Sequence, residues 1–172
     1  LLDLSRLEAG HLKLKLDWHD VRDLVQATLQ NLDRALADHP VKTDIPPDIS
    51  PMKLDSALTE QILANLLSNA AVHTPAGTPI EIRIRAEPRQ LLFEVADRGP
   101  GLPCENPARL FERFERGTNA APGGTGIGLS LVKGFAEAQG GTVAAANRDG
   151  GGAIFTVRLP LTQMPPVPEE NE

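Results

Sequence analysis

One cysteine, one tryptophan and no tyrosine occur among these 172 residues, and each scarcity closes off a class of protein. A lone thiol, Cys104, cannot form an internal disulfide, so the fold holds without staples and suits a reducing compartment. Nothing around Cys104 supports a nucleophile, and it reads as a loop thiol. Aromatics make up 3% of the chain, so its core must be aliphatic. No apolar run approaches the roughly 20 residues of a membrane span. An excess of positive charge is missing too: 17 Lys and Arg stand against 23 Asp and Glu, a net −6. A nucleic-acid partner, which would need a basic face, is not expected. A smaller anion needs only local cations and backbone N–H groups.

Hydrophobic residues make up 41% of the chain, enough for one packed domain with a short appendage. The opening, Leu1-Leu2-Asp3-Leu4-Ser5-Arg6-Leu7, has no Met and starts mid-pattern, so a longer parent chain is expected. Leu1, Leu4 and Leu7 read as the last turns of a helix, with Gly10 as its stop. Residues 12–16 alternate apolar and charged, the pattern of a half-buried strand. Asp17 and Asp20 offer caps for a helix whose apolar face runs Leu24, Val25, Thr28, Leu32, Ala35, Leu36, and which Pro40 ends. Short strands are expected over 41–45 and 52–54. Asp55 or Ser56 then caps a strong helix through about Val72, broken by His73-Thr74-Pro75-Ala76-Gly77. Alternation over 80–85 and 92–95, either side of Pro88-Arg89-Gln90, predicts a hairpin. Residues 102–125 are loop-rich around a short amphipathic piece at 108–114. A helix follows over about 126–139, then strands over 142–146 and 153–159 joined by a glycine turn. The acidic, proline-rich tail is expected to be disordered. This order predicts an α+β fold: a two-layer α/β sandwich, with about three helices packed on one face of a mixed, mostly antiparallel sheet.

Three stretches carry residues with chemical uses. Asn65 and Asn69 are four apart on the second long helix and share a face. Asn competes for backbone bonds inside a helix, so the pair points to polar work, or else to two surface amides. An amide carbonyl is a hard oxygen ligand that suits Mg²⁺. Asp97-Arg98-Gly99-Pro100-Gly101 follows a strand. A carboxylate held at a strand end can accept from an amino group, or the stretch is a plain turn. Pro122-Gly123-Gly124-Thr125-Gly126-Ile127-Gly128-Leu129 runs into a helical pattern, and a glycine-rich helix start offers N–H groups and a positive dipole end to phosphates. The small-residue segment ahead of it reads as a loop that closes over a ligand, or as a solvated surface loop. Arg113 and Arg116 are within its reach of phosphates.

In this order and spacing, the stretches resemble the ATP-binding catalytic domain of bacterial sensor histidine kinases, whose Bergerat fold is shared with gyrase and chaperone ATPases. Gln61-Ile62-Leu63-Ala64-Asn65-Leu66-Leu67-Ser68-Asn69-Ala70 matches the asparagine box, Asp97-Arg98-Gly99-Pro100-Gly101 the first glycine box and Leu110-Phe111-Glu112-Arg113-Phe114 the phenylalanine box. Gly124-Thr125-Gly126-Ile127-Gly128-Leu129 matches the second glycine box, and Gly150-Gly151-Gly152-Ala153-Ile154-Phe155 the terminal hairpin. Residues 1–11 are similar to the end of the family's dimerisation hairpin. That divides the chain into 1–11, an ATP-binding domain over 12–161 and a disordered tail over 162–172. The run through Asp17-Trp18 most resembles the potassium-responsive sensor kinases.

The resemblance implies ATP and Mg²⁺ as cofactors, and it assigns roles. Asn69 ligates Mg²⁺, with Asn65 as a second candidate ligand, and these two are the catalytic residues. Asp97 takes the adenine amino group, while Gly99 and Gly101 let the backbone pass the base. His73, Arg113, Arg116, Gly124, Thr125, Gly126, Gly128 and Leu129 complete the nucleotide contacts, and Phe111 and Phe114 anchor the lid. Related ATPases hold a water-activating glutamate where this chain has Asn65. An amide cannot deprotonate water, which suits a kinase. Val72 stands where the family usually has Lys or Arg, which shifts phosphate binding toward the loop backbone and the lid arginines. Ala153 sits where related ATPases often have Thr.

An accepting histidine is expected upstream of Leu1. His19-Asp20-Val21-Arg22 imitates the start of the accepting pattern, but no Thr-Pro follows. The implied reaction moves the γ-phosphoryl of ATP to a histidine on a hairpin of the same or a dimer-partner chain, then to an aspartate on a cognate response regulator. The implied location is the cytoplasm, with the whole protein anchored in the inner membrane. Two other readings stand beside this one: a nucleotide-weak module of the same fold that acts through partner contacts, and a related ATPase, against which Asn65 counts.

Overall fold

The computed structural model describes residues 5–7, 10–113 and 127–162. Its elements are β1 (Leu16–His19), α1 (Val21–Asn31), β2 (Val41–Asp44), β3 (Met52–Asp55), α2 (Ser56–His73), β4 (Ile80–Ala86), β5 (Gln90–Asp97), a 3-10 segment (Pro107–Phe111), α3 (Gly128–Ala138), β6 (Thr142–Asn147) and β7 (Ala153–Pro160).

Five strands form one sheet in the order β2-β4-β5-β7-β6. β2 runs parallel to β4, and the other neighbours are antiparallel. Side chains alternate across a strand, so the register sorts the residues by face. Ile82, Val95, Phe155 and Ala145 form one inner row; Ile84, Phe93, Val157 and Val143 form the next. Glu81, Arg83 and Glu94 occupy the opposite face, where Arg83 pairs with Glu94 at 3.2 Å. α2 and α3 pack together over the apolar face, and α1 packs on α2. Ile62, Leu63, Leu66 and Leu67 of α2 are wholly buried between them. Each such side chain contributes about 1.5–3 kcal/mol. The fold is α+β, with helices on one face of a mixed, mostly antiparallel sheet, as the element order predicts.

Caps define the helices. Asp20 accepts from the Arg22 N–H at 2.8 Å. Asp55 accepts from the Leu58 N–H at 3.0 Å, and its other oxygen takes the Lys15 N–H at 2.9 Å. At the N-terminal side, Gly10 has φ +67°, its N–H bonds the Leu7 carbonyl, and the His11 N–H bonds the Arg6 carbonyl. This is the pairing of a helix end closed by glycine.

Two expectations are corrected. Residues 12–16 do not form a strand. β1 begins only at Leu16 and runs on to His19, because its partner β3 is four residues long and pairs Leu16 with Asp55 through His19 with Met52. Upstream, the Lys15 N–H goes to a carboxylate, and Leu14 and Leu16 stay exposed. Alternation makes a strand only where a second strand takes its backbone groups. The β1–β3 ladder is also a separate two-stranded sheet, which local patterning did not reveal. The first helix ends at Asn31 rather than near Pro40. Asn31 and Asp33 are weak helix residues, and the chain goes on through turns that still bury Leu36.

Candidate functional site

α2 positions most of the candidate site. Asn65, Asn69, Val72 and His73 follow one another at helical spacing and form one stripe along it. The two asparagines are half-buried, and Val72 and His73 are exposed. Nδ2 of Asn65 is buried and has no hydrogen-bond partner among the described residues. Leaving such a donor unmet costs about 1–3 kcal/mol, and an orphan of this kind calls for an explanation. A Cβ at Gly128 would lie 3.6 Å from Asn65 Oδ1, so the first residue of α3 abuts the asparagine stripe. The N-cap of α3, Ile127, gives its N–H groups no side-chain acceptor.

The helix ends where proline requires. Thr74 is extended at φ −123°, ψ 149°, ahead of Pro75. Its hydroxyl donates to the Ala70 carbonyl at 2.8 Å. Thr74 also meets the end of β5: a Cβ on Gly99 would come within 2.5 Å of Thr74 Cγ2. The stripe therefore runs from Gly128, beside Asn65, past Asn69 to the Asp97–Gly101 turn. From Asn65 to Thr74 the helix rises roughly 13 Å.

Asp97 ends β5 and is 5% exposed. Its Oδ1 accepts from the Gly99 N–H at 2.9 Å and the Ala153 N–H at 3.2 Å. These bonds fix the carboxylate, and its second oxygen accepts nothing from a described residue. Gly101 has φ +89°, and a Cβ there would lie 2.7 Å from Asn147 Oδ1, which takes the Leu102 N–H. Gly152, at φ +103°, passes so close that a Cβ would sit 2.0 Å from the Asp97 carbonyl oxygen. The glycines here make room for the protein's own groups.

A cavity of about 560 Å³ opens between the end of α2 and this turn, with Val72, His73, Thr74, Arg98, Gly99 and Pro100 among its lining. Of the expected site residues, His73 and Gly99 line it. Asp97, Asn65 and Asn69 are not among its lining residues; Asp97 takes the N–H of Gly99, which is, and the asparagines lie further along the α2 stripe. Gly128 and Leu129 open α3, with Leu129 packed against the core. Arg113 is exposed just after the 3-10 segment, where Phe111 is buried edge-on against Phe155, centroids 6.2 Å apart. Arg116, Gly124, Thr125, Gly126 and Phe114 lie outside the described residues. Among the described residues, no group of three or more His, Cys, Asp and Glu could hold a metal.

Thr74, Arg98 and Asn147 have no role in the sequence reading, and Gly152 is read there only as part of a turn and hairpin. Thr74 had a local signal, the Thr-Pro after a helix. Arg98 stood inside a recognised stretch but had no assigned role. Asn147 and Gly152 act on residues some 45–55 positions away, a pairing that only the β5–β7–β6 register creates. His19, at the junction of β1 and α1, pairs with Met52 in the ladder.

The family model of histidine kinase-, DNA gyrase B- and HSP90-like ATPases matches residues 54–163. The chain is similar to the sensor protein KdpD of Escherichia coli, 35% identical over 173 residues, covering 100% of this chain and 19% of that protein. It is similar to the probable sensor histidine kinase TcrY of Mycobacterium tuberculosis, 35% identical over 170 residues, covering 97% of this chain and 35% of that one. The crystal structure of full-length ShkA in complex with AMPPNP matches 95% of this chain and 35% of its own, with a TM-score of 0.82 and 27% identity. The chain thus spans well under half the length of these relatives. With its asparagine stripe, buried strand-end carboxylate and covered sheet face, it belongs to the histidine kinase-, DNA gyrase B- and HSP90-like ATPase family.

Proposed function

We propose that this chain is the Mg·ATP-binding catalytic domain of a sensor histidine kinase, residues 12–161 forming the domain. The observation that carries this reading is the α2 stripe, with the orphaned Asn65 amide at one end and the fixed Asp97 carboxylate beyond the other. Both have hydrogen-bonding capacity that no described residue meets. The AMPPNP held by ShkA supports a nucleotide there.

Asp97 has one oxygen committed to Gly99 and Ala153, and the other suits an exocyclic amino group of adenine. His73 and Gly99 border the nucleotide in the cavity. The N–H groups at the start of α3, with Gly124, Thr125 and Gly126 before them, offer positive ends to phosphate oxygens. Arg113 and Arg116 add charge from the lid. Asn69, assisted by Asn65, would hold Mg²⁺ through amide oxygens. Bound Mg²⁺ supplies charge neutralisation among the phosphates. The residues of this chain position and neutralise; the nucleophile is an imidazole on an accepting hairpin of the same or a partner chain. Neither Asn65 nor Asn69 can accept a proton from water, so the site favours retention of ATP over hydrolysis. The phosphoryl group then passes to an aspartate of a response regulator, in the cytoplasm.

Incubating the chain with labelled ATP and a separately produced accepting hairpin tests the transfer. Label should appear on the hairpin histidine and vanish with acid treatment. Steady release of free phosphate by the chain alone, with no labelled hairpin, would contradict the kinase reading and favour the ATPase.

A further inference from the structure

Thr74 stands at the joint between α2 and the Asp97–Gly101 turn, and the two arms of its side chain go to different elements. The residue is buried, and its backbone is extended ahead of Pro75. The hydroxyl donates to the Ala70 carbonyl at 2.8 Å, one of the last-turn carbonyls that a helix end leaves open. The methyl goes the other way, against Gly99. A Cβ on Gly99 would come 2.5 Å from Thr74 Cγ2 and 3.3 Å from Thr74 Cβ, so no side chain fits between the two residues. The same point lies 3.2 Å from Asp97 Oδ1. The methyl therefore closes the small space beside the carboxylate from the helix side.

One further bond carries that contact to the acid. Gly99 donates its N–H to Asp97 Oδ1 at 2.9 Å. The same oxygen accepts the Ala153 N–H of β7 at 3.2 Å. Oδ1 is thus held from two sides, and Thr74 backs one of them. A β-branched side chain has few χ1 choices, so seating the hydroxyl on Ala70 also seats the methyl on Gly99. Serine in its place would keep the hydroxyl and empty the space beside the carboxylate. Gly99 would lose the atoms it packs on, and its bond to Asp97 would lose its support.

We propose that Thr74 is a positioning residue for base recognition. Through Gly99 its methyl sets the Asp97 carboxylate, and with it the preference for a purine that carries an exocyclic amino group over one that carries a carbonyl there. This assignment rests on the nucleotide reading above. Thr74 acts through its neighbours, since its own hydroxyl proton is committed to Ala70.

Calorimetric titration of the chain with Mg²⁺ and non-hydrolysable analogues of ATP and of inosine triphosphate tests it. Inosine carries a carbonyl where adenine carries its amino group, so the ratio of the two affinities reads the carboxylate. The wild-type chain should prefer the adenine analogue. In Thr74→Ser that ratio should fall about fivefold, the scale of one weakened hydrogen bond. Thr74→Val keeps a methyl for Gly99 and loses the bond to Ala70, so its Tm should drop while the ratio stays within about twofold. Both analogues are read on the same variant, so a loss of folded chain cancels in the ratio. An unchanged ratio in Thr74→Ser, or an equal fall in Thr74→Val, would overturn the assignment. A wild-type chain that binds neither analogue would instead overturn the nucleotide reading beneath it, and one that binds both alike would overturn the role of Asp97.

Discussion

Asn65 holds a buried amide nitrogen that no described residue bonds. Replacing it should therefore separate stability from binding. Asn65→Ala removes the orphan and improves helix propensity, so the ligand-free chain should keep or gain about 1 kcal/mol. The same change should cut Mg–nucleotide affinity about tenfold or more. Thermal unfolding with and without nucleotide reads both effects at once: a higher midpoint without ligand, and a smaller ligand-induced rise. Asp97 gives the complementary case. Asp97→Asn keeps an oxygen for the Gly99 and Ala153 N–H groups, so the urea midpoint should move little. It puts a donor where adenine needs an acceptor, so affinity should fall about 10- to 100-fold. Both residues were legible in the sequence because their signals are local: four-residue spacing on a helix, and an acid at a strand end before two glycines. Arg98 was not, because its hydrogen bonds go to the Asp149 and Gly151 carbonyls, more than 50 residues away.

The elements are held in register by a few polar links whose partners are also distant in sequence. Gln139, just beyond α3, accepts the Asp55 N–H at 3.0 Å and reaches Thr59 Oγ1 at 3.4 Å, which fastens α3 to the start of α2. That link sits far from Gly128 and Asn65 and sets how the two helices lie along each other. Gln139→Ala leaves the Asp55 N–H without its acceptor and should cost about 1–2 kcal/mol in urea unfolding. A second link ties the edge strand β2 to β4 through Asp44. The Arg85 guanidinium, chiefly by a hydrogen bond, holds the Asp44 carboxyl below its ordinary value. A depressed folded-state value stabilises above the unfolded pKa and loses that stabilisation as pH falls through the folded value. Asp44 is exposed and Arg85 is half-buried beside it, so the effect is small and screened by salt. The Tm difference between wild type and Asp44→Asn should therefore be present near neutral pH in low salt, shrink below the ordinary carboxylate range, and shrink again in high salt. Element type was readable where periodicity coincided with a partner, as for α2 and the β4–β5 hairpin. It failed over 12–16, where alternation was present but β3 was too short to pair with it.

At the scale of the whole molecule, one long helix connects the Asp97–Gly101 turn to the start of α3, stretches whose residues Gly99 and Gly128 lie 29 positions apart in sequence. α2 abuts the start of α3 at Asn65 and the Asp97–Gly101 turn at Thr74, and the aliphatic layer beneath it fixes both contacts. The core is chiefly Ile, Leu and Val, and Phe93, Phe111, Phe135 and Phe155 are buried among them. The described part of the candidate site lies on α2, the end of β5 and the start of β7. The proposed function requires this surface to bind Mg·ATP. Calorimetric titration of the 172-residue chain with a non-hydrolysable ATP analogue and Mg²⁺ tests it most directly. The predicted result is saturable binding of one nucleotide per chain, complete below millimolar ligand and weakened by Asp97→Asn. A flat titration at millimolar ligand, from a chain that unfolds cooperatively, would contradict it.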